Sequence, residues 1–220
     1  MLTAFVCSQL GMVSLGIKIY IKMDVVTPIS VVSFNSRGFC AERQEFVKKL
    51  LLGCDVLFLQ EHWLAPSQLS LLGNLNDNFV YTGISGFGND DVLLGRPYGG
   101  CAILWRSDLN VQVHVLDVHS SRVCAVRLSN DTYRLLLMCV YMPYEGSELM
   151  SDEFASQLDI VDSILEANVD CHVIIGGDFN VDLSRLWVHS AMLKSFCDNA
   201  GLFPGDLHQN FNIDYSFILV

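Results

Sequence analysis

Positive charge is scarce in this chain. Its 220 residues include 13 Lys and Arg against 24 Asp and Glu, a formal net charge of −11 at pH 7. A protein that holds nucleic acid by general attraction to phosphate is basic, because phosphate contacts supply much of its affinity. That description does not fit the surface as a whole. An acidic chain can still cleave phosphodiesters, since carboxylates hold the metal, but substrate affinity must then come from a local patch or from other domains. The eight cysteines include no CxxC and no regular spacing, so zinc has little support. Cys54, Cys101, Cys124 and Cys139 lie in or beside apolar runs and read as buried thiols. A reducing compartment, cytoplasmic or nuclear, is therefore expected. The glycines of Gly95-Arg96-Pro97-Tyr98-Gly99-Gly100 lack the spacing of a nucleotide-binding loop, and no helix follows them. Internal repeats and low-complexity tracts are absent.

What is plentiful is apolar surface. The chain is 51% hydrophobic and only 17% charged, which excludes disorder over most of its length. Such a composition suits a layered α/β protein whose strands are covered on both faces. Met1 to Ile17 carries no charge, and Lys18 and Lys22 follow. The stretch lacks the basic start of a signal peptide and is short for a membrane span. Residues 1–26 are read as an extra apolar segment outside a single domain covering 27–220. Neither secretion nor an integral membrane role is expected.

Along that domain, Ile29–Phe34 reads as a strand ending in the turn Asn35-Ser36-Arg37-Gly38. A helix over 42–52 follows, with Glu42 in its first turn, Lys48 and Lys49 near its end, and Gly53 stopping it. Asp55–Gln60 is a second strand that runs into Glu61 and His62. Strand, helix, strand is the signature of an α/β layer. Residues 66–72 are predicted as a short helix and 79–84 as a strand. The middle third is hairpin-like, with strands at 101–105, 111–116, 122–128 and 133–140, so the sheets are mixed. Helices are predicted over 151–166 and 189–200.

The stretch that organises the chain is Cys171 to Asp182, CHVIIGGDFNVD. Val173, Ile174 and Ile175 form an apolar run that ends in two glycines, Asp178, Phe179 and Asn180. This reads as a buried strand that delivers a carboxylate and an amide from its end while Phe179 turns into the core. An Asx turn closing the strand is an equally good account of those two residues. The device recurs, however: strands also end in Asn35, in Glu61 and in Tyr141. Parallel strands gather such groups at their carboxyl ends. A carboxylate beside neutral oxygen donors suits Mg²⁺, which keeps several waters and binds phosphates.

These residues resemble the endonuclease/exonuclease/phosphatase family, and within it the apurinic-like endonuclease domain of non-LTR retrotransposon polyproteins. SFNSRG at 33–38, LQEHWL at 59–64, GRPYGGCAILW at 95–105, VYMPY at 140–144 and GGDFNVD at 176–182 stand in the family's order. The resemblance implies a four-layer sandwich of two mixed β-sheets flanked by helices. It implies Mg²⁺-dependent cleavage of a phosphodiester, with Mn²⁺ as a possible substitute, nicking one DNA strand. A reverse transcriptase domain is the implied partner in a full-length element. Carried over, Glu61 is the main metal ligand with Asn35 beside metal and phosphate. Asp178 aligns and activates water, Asn180 holds the phosphate, and Tyr141 supports the scissile group. Arg37 and Arg96 are candidates for the substrate side.

The departure is at the tail. The family closes its site with a strand ending in Ser-Asp-His, and no Asp-His pair occurs in these 220 residues. Asp214-Tyr215 is a candidate for the family's earlier Asp-His or Asp-Tyr slot. The sheet is accordingly expected to lack its last strands and to leave an open edge. Three functional readings stay open: a DNA-nicking endonuclease with weak or absent activity, a non-catalytic retroelement remnant, and a phosphatase of small phosphate esters or phosphoinositides.

Overall fold

The computed structural model describes residues 3–7, 17–22, 29–88, 91, 95–204 and 217–219. The chain divides into two compact units, Met1–Asn110 and Val111–Val220. Each is built on one mixed β-sheet flanked by helices, which places the chain in the α/β class. No helix among the described residues is long and apolar enough to cross a membrane.

The first unit runs β1 (Thr3–Cys7), β2 (Ile17–Lys22), β3 (Ile29–Asn35), α1 (Ala41–Leu51), β4 (Val56–Gln60), a 3₁₀ helix (Pro66–Asn74), β5 (Phe79–Ile84) and β6 (Cys101–Arg106). Its strand order is β1-β2-β3-β4-β6-β5. β3 and β4 are parallel, joined by α1 as the crossover, and the other neighbours are antiparallel. Parallel pairing needs such a connection because a tight turn cannot reverse it. α1 buries Val47 and Leu51. They join Val32 and Phe34 of β3, Leu57 and Leu59 of β4, and Ala102 and Leu104 of β6 in one core. These are alternate residues of each strand, as a period of two requires.

The segment 1–26, expected to stand outside the domain, contributes β1 and β2 to this sheet. β2 pairs antiparallel with β3, Ile19 opposite Val31, and β1 pairs with β2. The reason is legible in IKIYIK, where isoleucines alternate with Lys18, Tyr20 and Lys22. Such alternation is a strand pattern, and the edge of β3 offers it partners.

The second unit runs β7 (Gln112–Val115), β8 (Val123–Ser129), β9 (Arg134–Tyr141), α2 (Glu148–Glu166), β10 (His172–Asp178), α3 (Val188–Ala200), β11 (Phe203–Pro204) and β12 (Phe217–Leu219). The order is β11-β12-β10-β9-β8-β7. Here β9 and β10 are the parallel pair, with α2 as crossover. α2 starts at Glu148 rather than Ser151 because Ser147 caps it, accepting from the Met150 N–H. Its buried Phe154, Leu158 and Val161 pack with Ala125, Leu136, Met138, Val173 and Ile175. Burying each such side chain is worth about 1.5–3 kcal/mol. α3 stops at Gly201, whose φ of 66° is left-handed, and the Leu202 N–H closes the cap on the Cys197 carbonyl at 2.8 Å.

The edge of β10 is occupied. Ile174–Gly176 pairs antiparallel with Leu219–Phe217, and β11 lies beyond β12. The sequence reading left that edge open. Phe217, Ile218 and Leu219 are β-prone, and β10 presents unpaired backbone groups to them.

Candidate active site

Each sheet contains one parallel pair among its described strands, and each pair ends in the residues singled out by sequence. β3 and β4 finish side by side at Asn35 and Gln60. β9 and β10 finish with Tyr141 opposite Asp178. A helical crossover brings both carboxyl ends of a parallel pair to one edge, where α/β folds place their ligands.

In the first unit the focus is Glu61. Its φ of 53° is left-handed, a conformation that costs a non-glycine residue on the order of 1–3 kcal/mol and persists only where neighbours enforce it. They do so here. The Glu61 N–H donates to the Gly100 carbonyl at 2.9 Å, the Gly38 N–H donates to the Glu61 carbonyl at 2.8 Å, and the Trp63 N–H donates to Gly99 at 3.1 Å. The carboxylate is oriented as well. Asn35 Nδ2 donates to Oε1 at 2.7 Å, and Trp63 Nε1 donates to Oε2 at 3.2 Å. Asn35 Oδ1 accepts the Arg37 N–H at 3.0 Å, which turns the amide nitrogen toward Glu61. Arg96 stacks over the Trp63 indole, 4.8 Å from its centroid. Arg37 is exposed.

His62 supports the same loop from below. Nδ1 accepts the Leu64 N–H at 3.0 Å, so Nε2 carries the proton and donates to the Ile84 carbonyl at 3.1 Å. The ring is fully buried, and burial pushes its pKa down to about 4, against the carbonyls of Cys101 and Ile84. A Cβ on Gly100 would lie 2.3 Å from His62 Cε1. The last glycine of GRPYGG is therefore what lets the loop cross this ring and reach Glu61.

In the second unit Gly177 has a φ of 147°, and a Cβ there would fall 2.0 Å from the Val140 carbonyl oxygen. Asp178 is buried, and Phe179 enters the core as its pattern predicts. The Asn180 N–H donates to Asp178 Oδ1 at 3.0 Å, and Asn180 Nδ2 donates to the Met142 carbonyl at 2.7 Å. The Met142 N–H returns to the Asp178 carbonyl at 2.8 Å. The Asx turn is thus present and aims the Asp178 carboxylate, while the Asn180 side chain turns to the Met142 carbonyl. Asn35 makes the same bond to Arg37. Asn76, Asn130 and Asp182 do so on ordinary loops, so the turn by itself does not mark a site.

Tyr141 is half-buried and clamped. Arg122 stands 5.6 Å over its ring, accepts the Tyr141 N–H through its own carbonyl at 2.9 Å, and pairs with Glu153 at 2.6 Å. Arg122, Glu153, Trp63 and Gly100 are supporting residues that the sequence reading passed over. Among the remaining histidines, His114, His119 and His172 are exposed, while His189 is buried and stacks on Phe154 at 4.2 Å. Asp214 lies outside the described residues.

No group of three or more His, Cys, Asp or Glu that could hold a metal occurs among the described residues. A cage made wholly of protein does not fit. Mg²⁺ does not require one, since it keeps several waters and takes one or two carboxylates. Glu61 fits that demand: each oxygen accepts one donor here and retains a further lone pair.

None of the curated proteins matches this chain by sequence. Solved structures do match its fold. The endonuclease domain of TRAS1, a telomere-specific non-LTR retrotransposon, superposes with a TM-score of 0.62 at 12% identity, over 86% of this chain and 83% of that one. The AP endonuclease LMAP from Leishmania major gives 0.64 at 15%, over 86% and 78%. The mannosyl-6-phosphatase Bt3783 from Bacteroides thetaiotaomicron gives 0.56 at 18%, over 86% and 84%. At such identities the likeness speaks for the fold alone. The sequence carries the rest: the model of the Endonuclease/Exonuclease/phosphatase family matches residues 32–215, and the chain belongs to that family.

Proposed function

We propose that the chain is a metal-dependent phosphodiesterase of the retrotransposon-endonuclease type, acting slowly on DNA. The observation that supports it best is Glu61, held in a left-handed conformation with both carboxylate oxygens oriented by Asn35 and Trp63. A side chain fixed at such cost, at the end of a parallel strand pair, is placed for a ligand and not for solvent. Mg²⁺ bound there, or Mn²⁺ in its place, would polarise a phosphoryl oxygen. Asp178 takes a proton from the attacking water, and its Asn180 bond keeps it aimed. Asn180 has a second amide hydrogen beyond the one given to Met142, and this donates to a phosphoryl oxygen. Tyr141, steadied by Arg122, supports the scissile group.

The rate is expected to be low. These 220 residues contain no Asp-His pair to stabilise charge at the phosphate, and losing one such donor typically costs about 10²–10³ in rate. The motifs in retrotransposon order favour DNA as substrate. The net charge of −11 favours a small phosphate ester instead, and that is the second reading. The test is nicking of supercoiled plasmid with Mg²⁺, alongside hydrolysis of p-nitrophenyl phosphate. Slow nicking that disappears in Asp178→Ala, and quickens when the family's Ser-Asp-His segment is appended, supports the proposal. Nicking unchanged in Asp178→Ala overturns it. Phosphate release without nicking selects the small-ester reading.

A further inference from the structure

The loops that leave β9 and β10 carry exposed apolar side chains that the chemistry above does not use. Tyr144 is 65% exposed and Leu149 71%, while Leu186 is 98% and Trp187 46%. These are costly surfaces for a soluble chain unless something covers them. They are also not scattered. The Val188 N–H donates to Glu145 Oε1 at 2.8 Å, so the neighbours of Tyr144 and Trp187 are bonded to each other. The Met142 carbonyl is bonded to Asn180, and Asp178 lies opposite Tyr141 in register. The two aromatic residues therefore stand a few residues beyond the groups proposed to hold the phosphate, on the same edge of the same sheet. Each ring has one supported face. Tyr144 lies over Gly146, where a Cβ would meet its ring at 2.7 Å, and Arg185 stacks on Trp187 at 4.6 Å.

We infer that Tyr144 and Trp187 form a platform on which unpaired bases of a single-stranded nucleic acid stack beside the scissile phosphate. The inference rests on the phosphodiesterase reading and specifies its substrate. Charge argues for a single strand over a duplex. Arg185 is bonded to Asp182 at 2.9 Å, and the chain carries −11, so attraction to a duplex backbone is weak here. Base stacking needs no positive surface, and each stacked base contributes substantially to single-strand binding. A base paired within a duplex has both faces covered and cannot stack on the rings.

The test is binding in EDTA, where no cleavage intervenes, of a labelled twelve-nucleotide thymidine strand and of the same strand in duplex. The single strand should bind tighter and quench the fluorescence of Trp187. Tyr144→Ala with Trp187→Ala should weaken it about tenfold or more, with unchanged circular dichroism. Trp187→Phe should keep most of the affinity and lose the quench, and an RNA strand should bind comparably. Nicking with Mg²⁺ is assayed on the same variants, so loss of nicking and loss of binding are read separately. Equal affinity of the double alanine variant and wild type overturns the inference. So does preference for the duplex, or a dimer in sedimentation that the double variant dissolves, because the patch then serves a second copy.

Discussion

At the residue scale the candidate site is a matter of how one carboxylate is held. Asn35 and Trp63 give Glu61 one hydrogen bond per oxygen. Trp63 is a positioning residue on this geometry. Its own left-handed φ of 58° and the Arg96 guanidinium on its face show the indole itself being held in place. Trp63→Phe keeps the ring and the stack but removes the N–H. Mg²⁺ binding, measured by calorimetry, should then weaken about tenfold or more, in line with the effect of removing a hydrogen bond to a metal ligand. Glu61→Gln should remove most of it. If Trp63→Phe binds Mg²⁺ as wild type does, the indole has no positioning role. Glu61 could be found from sequence because a carboxylate directly after the apolar strand VLFLQ has few other reasons to be there. Trp63 could not. Its partner lies only two residues away, but the contact exists because Glu61 and Trp63 both turn left-handed, and nothing in the residue types announces that.

At the scale of elements, the helices and the central strands followed from periodicity, because each buries one stripe or one alternating face. The elements that did not follow are the ones made by pairing. β1, β2, β11 and β12 each extend a sheet edge, and their strand state depends on a distant partner. The loop over His62 is another case: by spacing Gly99 and Gly100 exclude a nucleotide-binding loop and show no role, yet their carbonyls brace the Glu61 loop beside β6. That brace has a pH signature. With a folded pKa of about 4 and an ordinary value near 6.5, the unfolded chain binds a proton at His62 that the folded chain does not. Stability from this group is fully present above about pH 6.5 and is lost as pH falls through about 4, an effect of order 3 kcal/mol. Denaturant unfolding should show this loss in the wild type and a flatter dependence in His62→Gln. An unchanged slope in that variant would mean that the ring is not the buried neutral group described. Gly100→Ala, which drives a Cβ into the ring, should destabilise by more than about 1 kcal/mol at any pH.

At the scale of the molecule, five of the 13 cations are engaged with neighbouring carboxylates among the described residues. Lys48 pairs with Glu45, Arg106 with Asp108, Arg122 with Glu153, Arg134 with Asp170 and Arg185 with Asp182. With 13 basic residues in the whole chain, a groove that tracks a phosphate backbone has little to be built from. This sets a measurable limit. Each phosphate neutralised on a single strand contributes about −0.7 to the slope of log affinity against log salt. A binder with six such contacts would therefore show a slope of about −4. If affinity comes from Tyr144 and Trp187, with one or two phosphates neutralised, the slope should be no steeper than about −1.5. The measurement is anisotropy of the labelled thymidine strand from 50 to 200 mM salt, in EDTA. A steep slope would mean that the acidic chain hides a concentrated cationic path, and the stacking platform would lose its reason. A shallow slope, with affinity sensitive to Trp187, assigns most of the binding to the bases and little to the phosphates. It would also explain how a chain of net charge −11 engages a polyanion: it reads the bases and leaves most of the backbone in solvent.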